Sequence, residues 1–103
     1  MNKEELEKER VEAFDAWLDW WDKESNAFKD IEEQIKKRNL EGYTYIKIAI
    51  DYTEDQPSIR VGSDLFLERL RKRFQGFKVS REWLKKPGEL FDDIGVKITI
   101  SWD

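Results

Sequence analysis

The chain has 103 residues, a net charge of −4, 41% charged side chains, and neither cysteine nor histidine. That excludes disulfides, thiolate metal sites, cysteine nucleophiles, an imidazole general base and a Ser-His-Asp triad. Leu, Ile, Val and Phe supply 27 residues, with eight Trp and Tyr besides, enough for one small soluble domain spanning 1–103.

Residues 2–39 read as helix. No Gly or Pro interrupts them, and good helix formers dominate. Asn2 can cap the start, with Glu5 completing a capping box. Lys36, Lys37 and Arg38 suit the negative end of the helix dipole, and Gly42 is a stop signal. At 3.6 residues per turn, Leu6, Val11, Ala13, Phe14, Trp17, Leu18, Trp20, Trp21, Phe28, Ile31 and Ile35 share an arc of about 180°. An unbroken helix of this length would extend about 57 Å. A compact chain of this size has a radius of gyration of about 13 Å. One rod must therefore overhang its own domain unless it breaks near Ser25-Asn26, pairs with a second copy, or meets a partner. The unchanged phase of the stripe across Ser25-Asn26 tips the reading toward a continuous helix.

Residues 43–53 read as a strand, with Ile46, Ile48, Ile50 and Tyr52 alternating against Tyr45, Lys47, Ala49 and Asp51. Glu54–Pro57 is a polar turn, and Ser58–Val61 reads as a short hairpin strand. Ser63 caps a helix running to about Gln75, with Phe66, Leu67, Leu70 and Phe74 on its core face. Phe77 and Val79 open a third strand, and Ser80 begins a short helix to Lys85, stopped by Pro87-Gly88. Leu90, Phe91 and Ile94 anchor a loop over 89–95. Val96, Ile98, Ile100 and Trp102 then alternate cleanly in a last strand. The expected architecture is α+β. A long N-terminal helix precedes an antiparallel sheet of about four strands with one face covered by helices, in the order α-β-β-α-β-(α)-β.

Magnesium-dependent phosphate chemistry needs clustered carboxylates. No acidic residue stands two positions before a lysine, and no Asp-x-Asp occurs. Asp51, Glu54 and Asp55 form one cluster and Asp92 and Asp93 another, and solvated turns account for both. A metal-dependent phosphoesterase is thus the distant alternative, and no metal or cofactor is expected. The N-terminus lacks a signal-like apolar stretch, and no segment is apolar enough to span a bilayer. The expected location is the cytoplasm, with no membrane partner.

Charge is unevenly spread. Residues 1–35 hold 12 acids and 5 bases, and residues 68–86 hold 8 bases and 2 acids. Mutual compensation is the plain explanation. The basic segment, with Arg69, Lys72, Arg73, Lys78, Arg81, Lys85 and Lys86, also suits phosphates or an acidic protein, and Trp83 offers a stacking surface. The net acidity and the lack of any nucleic-acid-binding motif weigh against nucleic acid. On the first helix, Asp15, Asp19 and Asp22 stand beside Trp17, Trp20 and Trp21. Tryptophan is the residue most enriched at binding hot spots. Leu65 projects into the basic flank as a further docking candidate.

These features read as a non-enzymatic protein-interaction module. Its most concrete form is a small acidic inhibitor that occludes a larger nucleic-acid-handling complex, with the Trp-bearing helix supplying buried area and its charges the steering. In composition alone the chain resembles small phage-type or mobile-element anti-defence inhibitors, which are short, acidic and rich in aromatics. A second copy of the chain is another partner in play. The alternative is a nucleic-acid-binding accessory protein acting through residues 69–86.

Overall fold

The computed structural model describes residues 1–52, 58–85 and 93–103. Its elements are α1 (Lys3–Ser25), α2 (Ala27–Leu40), β1 (Tyr45–Asp51), α3 (Ser58–Val61), α4 (Asp64–Arg73), β2 (Lys78–Lys85) and β3 (Asp93–Ser101). The chain is α+β, with a long N-terminal helix and a small antiparallel sheet. It divides into two compact units, Met1–Glu33 and Gln34–Asp103.

The first unit is helical. Asn2 caps α1 as expected, its Oδ1 accepting from the Glu5 N–H at 2.8 Å. The return arm of the box is made through the side chain, with the Asn2 amide donating to the Glu5 carboxylate at 3.4 Å. Phe14, Trp17, Leu18 and Trp21 of α1 are buried, as are Phe28 and Ile31 of α2. The indoles of Trp17 and Trp21 stack at 5.7 Å with a 10° interplanar angle, and Phe14 tilts against Trp17.

The continuous helix expected over 2–39 is two helices. Asn26 adopts the left-handed conformation, with φ of 53° and ψ of 34°. That conformation ends α1, because asparagine is among the few L-residues that tolerate it. Three bonds hold the break. The Ser25 hydroxyl turns back to the Trp21 carbonyl at 2.6 Å. The Asn26 carbonyl accepts the first α2 bond from the Asp30 N–H at 2.9 Å. Asp22 reaches forward, its Oδ1 accepting from the Phe28 N–H at 2.9 Å. The apolar phase could not reveal this, because one left-handed residue between two helices leaves the hydrophobic count unchanged. Asp22→Ala removes a cap and should lower stability by about 1 kcal/mol. Urea unfolding followed by circular dichroism would show it as a lower midpoint at unchanged slope. An unmoved midpoint would mean that the Asp22 bond contributes nothing.

In the second unit α2 ends at a Schellman motif, as Gly42 promised. The Tyr43 N–H donates to the Arg38 carbonyl at 3.0 Å and the Gly42 N–H to the Asn39 carbonyl at 3.1 Å. Gly42 sits at φ 97°, which the motif requires of its terminal residue. The sheet order is β1-β3-β2, all antiparallel. In register, Ile46, Ile48 and Ile50 stand beside Ile100, Ile98 and Val96, which stand beside Val79, Arg81 and Trp83. This inner face meets α3 and α4. Val61, Phe66, Leu70, Val96, Ile98 and Ile100 are its most deeply buried side chains. Ser63 caps α4 as expected, its Oγ accepting from the Phe66 N–H at 3.2 Å. The Trp102 indole closes the far end, donating to Asn39 Oδ1 at 3.1 Å.

Two strand assignments change, leaving three strands among the described residues rather than four. Ser58–Val61 is the helical turn α3, so the β preference of its Ile and Val yields to tertiary context, where Val61 enters the core. The short helix expected from Ser80 to Lys85 is most of β2. Val79, Arg81 and Trp83 alternate there in fact, but an arginine at the central inner position hid the pattern. The Glu54–Pro57 turn, the Pro87-Gly88 stop and the anchors Leu90 and Phe91 lie outside the described residues. Ile94 is exposed in β3.

Candidate functional site

The α1 surface carries the first set of candidates. Residues 1–10 are all exposed, and no side chain before Phe14 is buried. Leu6, Ala13, Ala16 and Trp20 are exposed on one side of the helix, with Trp20 retaining 46% of its surface and Leu6 50%. Leu6, Ala13 and Trp20 recur every seven residues, so they fall within a sector of about 40° at 3.6 residues per turn. Glu5, Glu12 and Asp19 follow the same seven-residue spacing one position earlier and form an exposed acidic line alongside. Lys8–Glu12 at 4.0 Å and Asp19–Lys23 at 2.9 Å are exposed ion pairs, each worth about 0.3–0.5 kcal/mol. Trp17 and Trp21 are buried, and the Asp22 carboxylate is engaged by α2. Asp15 is exposed.

The basic segment is divided between two kinds of residue. Arg81 is a structural arginine. Its side chain is 8% exposed, and its guanidinium donates to the carbonyls of Gly62 and Ser63 at 3.0 and 2.9 Å and to Asp64 Oδ1 at 2.8 Å. It also lies over the Trp83 ring at 4.4 Å, while the indole remains 46% exposed. Arg71 is likewise occupied, donating twice to the Val79 carbonyl at 3.2 and 3.1 Å. The Val79 side chain is buried, but β2 is an edge strand, so this contact covers one backbone acceptor that would otherwise template further pairing. Lys72, Arg73, Lys78 and Lys85 are exposed and Arg69 and Leu65 are half-buried. Lys86 lies outside the described residues.

A third surface includes Tyr45 and Lys47, two outward residues of β1. The outer face of the sheet presents Tyr45, Ser101 and Lys78 in one row, Lys47, Thr99 and Ser80 in the next, and Ala49, Lys97 and Glu82 in a third. At the β1 end, Gln34, Arg38, Tyr43, Tyr45, Ile46 and Lys47 line an open cavity of about 250 Å³. The Tyr43 and Tyr45 rings meet edge to face at 6.2 Å. Arg38 lies over Tyr43 at 5.3 Å and Lys47 over Tyr45 at 5.9 Å. The alternation of β1 already places Tyr45 and Lys47 on the outer sheet face, as a candidate extension of the basic segment; it does not show Arg38, Tyr43 and Gln34 beside them. The outward residues of β1 are an aromatic and a lysine, and Arg38 and Tyr43 flank the helix stop just before them.

Among the described residues, no group of three or more carboxylates is placed to hold a metal ion. Asp51 is exposed at the end of β1, and Glu54, Asp55 and Asp92 fall outside the described residues. No described helix is long and apolar enough to cross a membrane. No family model, curated protein or solved structure significantly matches the chain.

Proposed function

We propose that this protein is a non-enzymatic protein-interaction module whose partner-binding surface is the exposed side of α1. Its most concrete form is a small acidic inhibitor of the anti-defence type, which occludes a groove on a nucleic-acid-handling protein. The observation that carries the reading is the paired stripe on α1. Leu6, Ala13, Ala16 and Trp20 lie exposed beside Glu5, Glu12 and Asp19. Residues 1–10, all exposed, gain little from internal packing, which is the usual source of helix stability in proteins. A partner that buried the stripe would supply it. The alanines let another backbone approach closely, Trp20 is a residue type enriched at hot spots, and the carboxylates would steer the helix toward a basic groove.

The test is capture from an extract of the producing cells, followed by titration against the purified partner. Trp20→Ala should weaken that complex by about 30-fold, the loss typical of a hot-spot residue. The partner should also lose its own nucleic-acid binding when saturated with this chain. Undiminished affinity in Trp20→Ala and in Leu6→Ser would remove α1 as the interface. A partner that still binds nucleic acid in the complex would remove occlusion.

The metal-dependent alternative gains no carboxylate geometry from the described residues. The nucleic-acid alternative, drawn on Arg69, Lys72, Arg73, Lys78, Arg81, Lys85 and Lys86, loses Arg81 to internal bonds.

A further inference from the structure

The geometry points to a single-stranded nucleic-acid site on the outer sheet face, centred on Tyr45 and Lys47 and distinct from the α1 surface. This goes beyond the protein-interaction reading and would survive its failure.

Charge divides along the chain as the compact units do. Residues 1–33 hold 12 acidic and 5 basic side chains, net −7, and residues 34–103 hold 11 acidic and 14 basic, net +3. The acidity of the whole chain therefore says nothing against an anion-binding face on the second unit. On that face Arg38 already pairs with Glu41 at 3.3 Å, and Lys97 with Glu82 at 3.9 Å. Lys47 and Lys78 have no carboxylate partner among the described residues. Lys47 stands one row along β1 from Tyr45, and Lys78 stands in the same row as Tyr45, on β2 beyond Ser101 of β3.

Single strands are bound without sequence reading by two devices used together, aromatic rings on which bases stack and cations that follow the backbone. Both are present here within one small area. Tyr43 and Tyr45 are each 44% exposed, set at right angles, and have Arg38 and Lys47 against their rings. The cavity beside them is open, and Gln34 is an uncharged amide in its lining, able to donate to and accept from a base edge. Rows on one face of a strand are about 7 Å apart and strands about 4.8 Å apart. A strand crossing from Tyr45 toward Lys78 would thus meet Ser101 and, one row on, Thr99 and Ser80 as hydroxyl partners. A duplex offers its bases only through grooves, and a sheet face reaches them only at the cost of opening and bending the duplex. Unstacked bases of a single strand can lie on the tyrosines.

Fluorescence anisotropy of the full chain tests this with labelled oligo-dT and oligo-U of about 12 nucleotides and a duplex of equal length, at about 50 mM salt. The single strands should bind at micromolar protein. The slope of log K against log salt should be about −1.4, as two phosphate contacts by Lys47 and Lys78 require. Comparing dT with U separates the two sugar chemistries, since a 2′-hydroxyl contact favours U. Tyr45→Ala should weaken binding about tenfold by loss of one stacking surface, and Tyr45→Phe should restore it. Lys47→Glu should reduce binding further, whereas Lys72→Glu on α4 should leave it within about twofold. Thermal unfolding of each variant checks that it folds. No binding at about 100 µM protein would overturn the inference, as would an unaffected Tyr45→Ala or a duplex bound as tightly as a single strand. Poly-glutamate bound as tightly as the oligonucleotides would also overturn it, in favour of an acidic protein on this face.

Discussion

Arg81→Ala is expected to lower the unfolding temperature by about 10–20 °C, corresponding to about 2–3 kcal/mol in a domain of this size. The guanidinium sits where the α3–α4 corner meets the inner face of β2. Its Nη1 serves the carbonyls of Gly62 and Ser63, and its Nη2 reaches Asp64. Bonds from a charged donor contribute more than neutral ones, and an acceptor left without its donor in a partly buried site costs about 1–3 kcal/mol. The Asp64 contact is the minor part, because that carboxylate is 93% exposed and water replaces the arginine readily. Asp64→Ala should therefore move the midpoint by only about 0.5 kcal/mol or less. Arg81→Lys should recover little. One ammonium cannot span two carbonyls and a carboxylate, and it lacks the planar surface that covers Trp83. Arg81→Leu separates packing from bonding, since it fills the space but donates nothing. If Arg81→Ala unfolds within about 2 °C of the parent, the carbonyl bonds contribute less than the typical net value, and Arg81 returns to the pool of residues open to a ligand.

That residue also shows where sequence reasoning reached and where it stopped. Elements whose signals are local were legible. The Asn2 and Ser63 caps, the Gly42 stop and the alternation of β1 and β3 depend on residues within a few positions of each other. The errors fall where the deciding contact is distant. An inward-facing Arg81 is tolerated because carbonyls 18 and 19 residues away accept its hydrogen bonds, a contact no local pattern reveals, so β2 looked like a capped helix. Ser58–Val61 looked like a strand because β-branched residues favour one, until the core position of Val61 is known.

The candidate site divides in the same way. The amphipathic arc of α1 was readable, as was the greater exposure of Trp20 than of its two neighbours. What periodicity could not rank was depth within that arc, which removes Trp17 and Trp21 from the surface. Nor could it show that the Asp22 carboxylate is spent on the Phe28 N–H, because the left-handed turn that brings them together was itself hidden. Tyr43 and Arg38 became a candidate pair only once the Schellman turn placed them next to the β1 edge of the sheet.

Gly95→Ala should destabilise the sheet by about 1–3 kcal/mol, the range for forcing an extra group into a packed site. Gly95 stands in β3 between Asp51 of β1 and Leu84 of β2. A Cβ there would strike the Ile50 carbonyl oxygen and lie 3.0 Å from the Asp51 Cα. Both are backbone atoms, so no rotamer change relieves the clash, and β1 must move away from β3. Glycine inside a strand marks such a close approach. The entropic advantage of alanine in the unfolded chain, about 0.4–1 kcal/mol, offsets only part of the loss. Gly42 provides the contrast. It has open space around its Cα but φ of 97°, so Gly42→Ala should cost about 1–2 kcal/mol through conformation alone. Gly42→Asn should recover part of that, since asparagine tolerates left-handed backbone, whereas Gly95→Asn should be worse than Gly95→Ala. Amide exchange distinguishes the two mechanisms. Gly95→Ala should expose the Tyr52 N–H, which donates to the Ile94 carbonyl at 2.8 Å, and Gly42→Ala the Tyr43 N–H, which donates to Arg38. Equal protection of Tyr52 in parent and Gly95→Ala would show that β1 accommodates the methyl group. Gly95 of β3 pairs with Asp51, at the opposite end of β1 from Tyr45. A folded Gly95→Ala chain should therefore keep its oligonucleotide affinity while losing stability, the reverse of what Tyr45→Ala does.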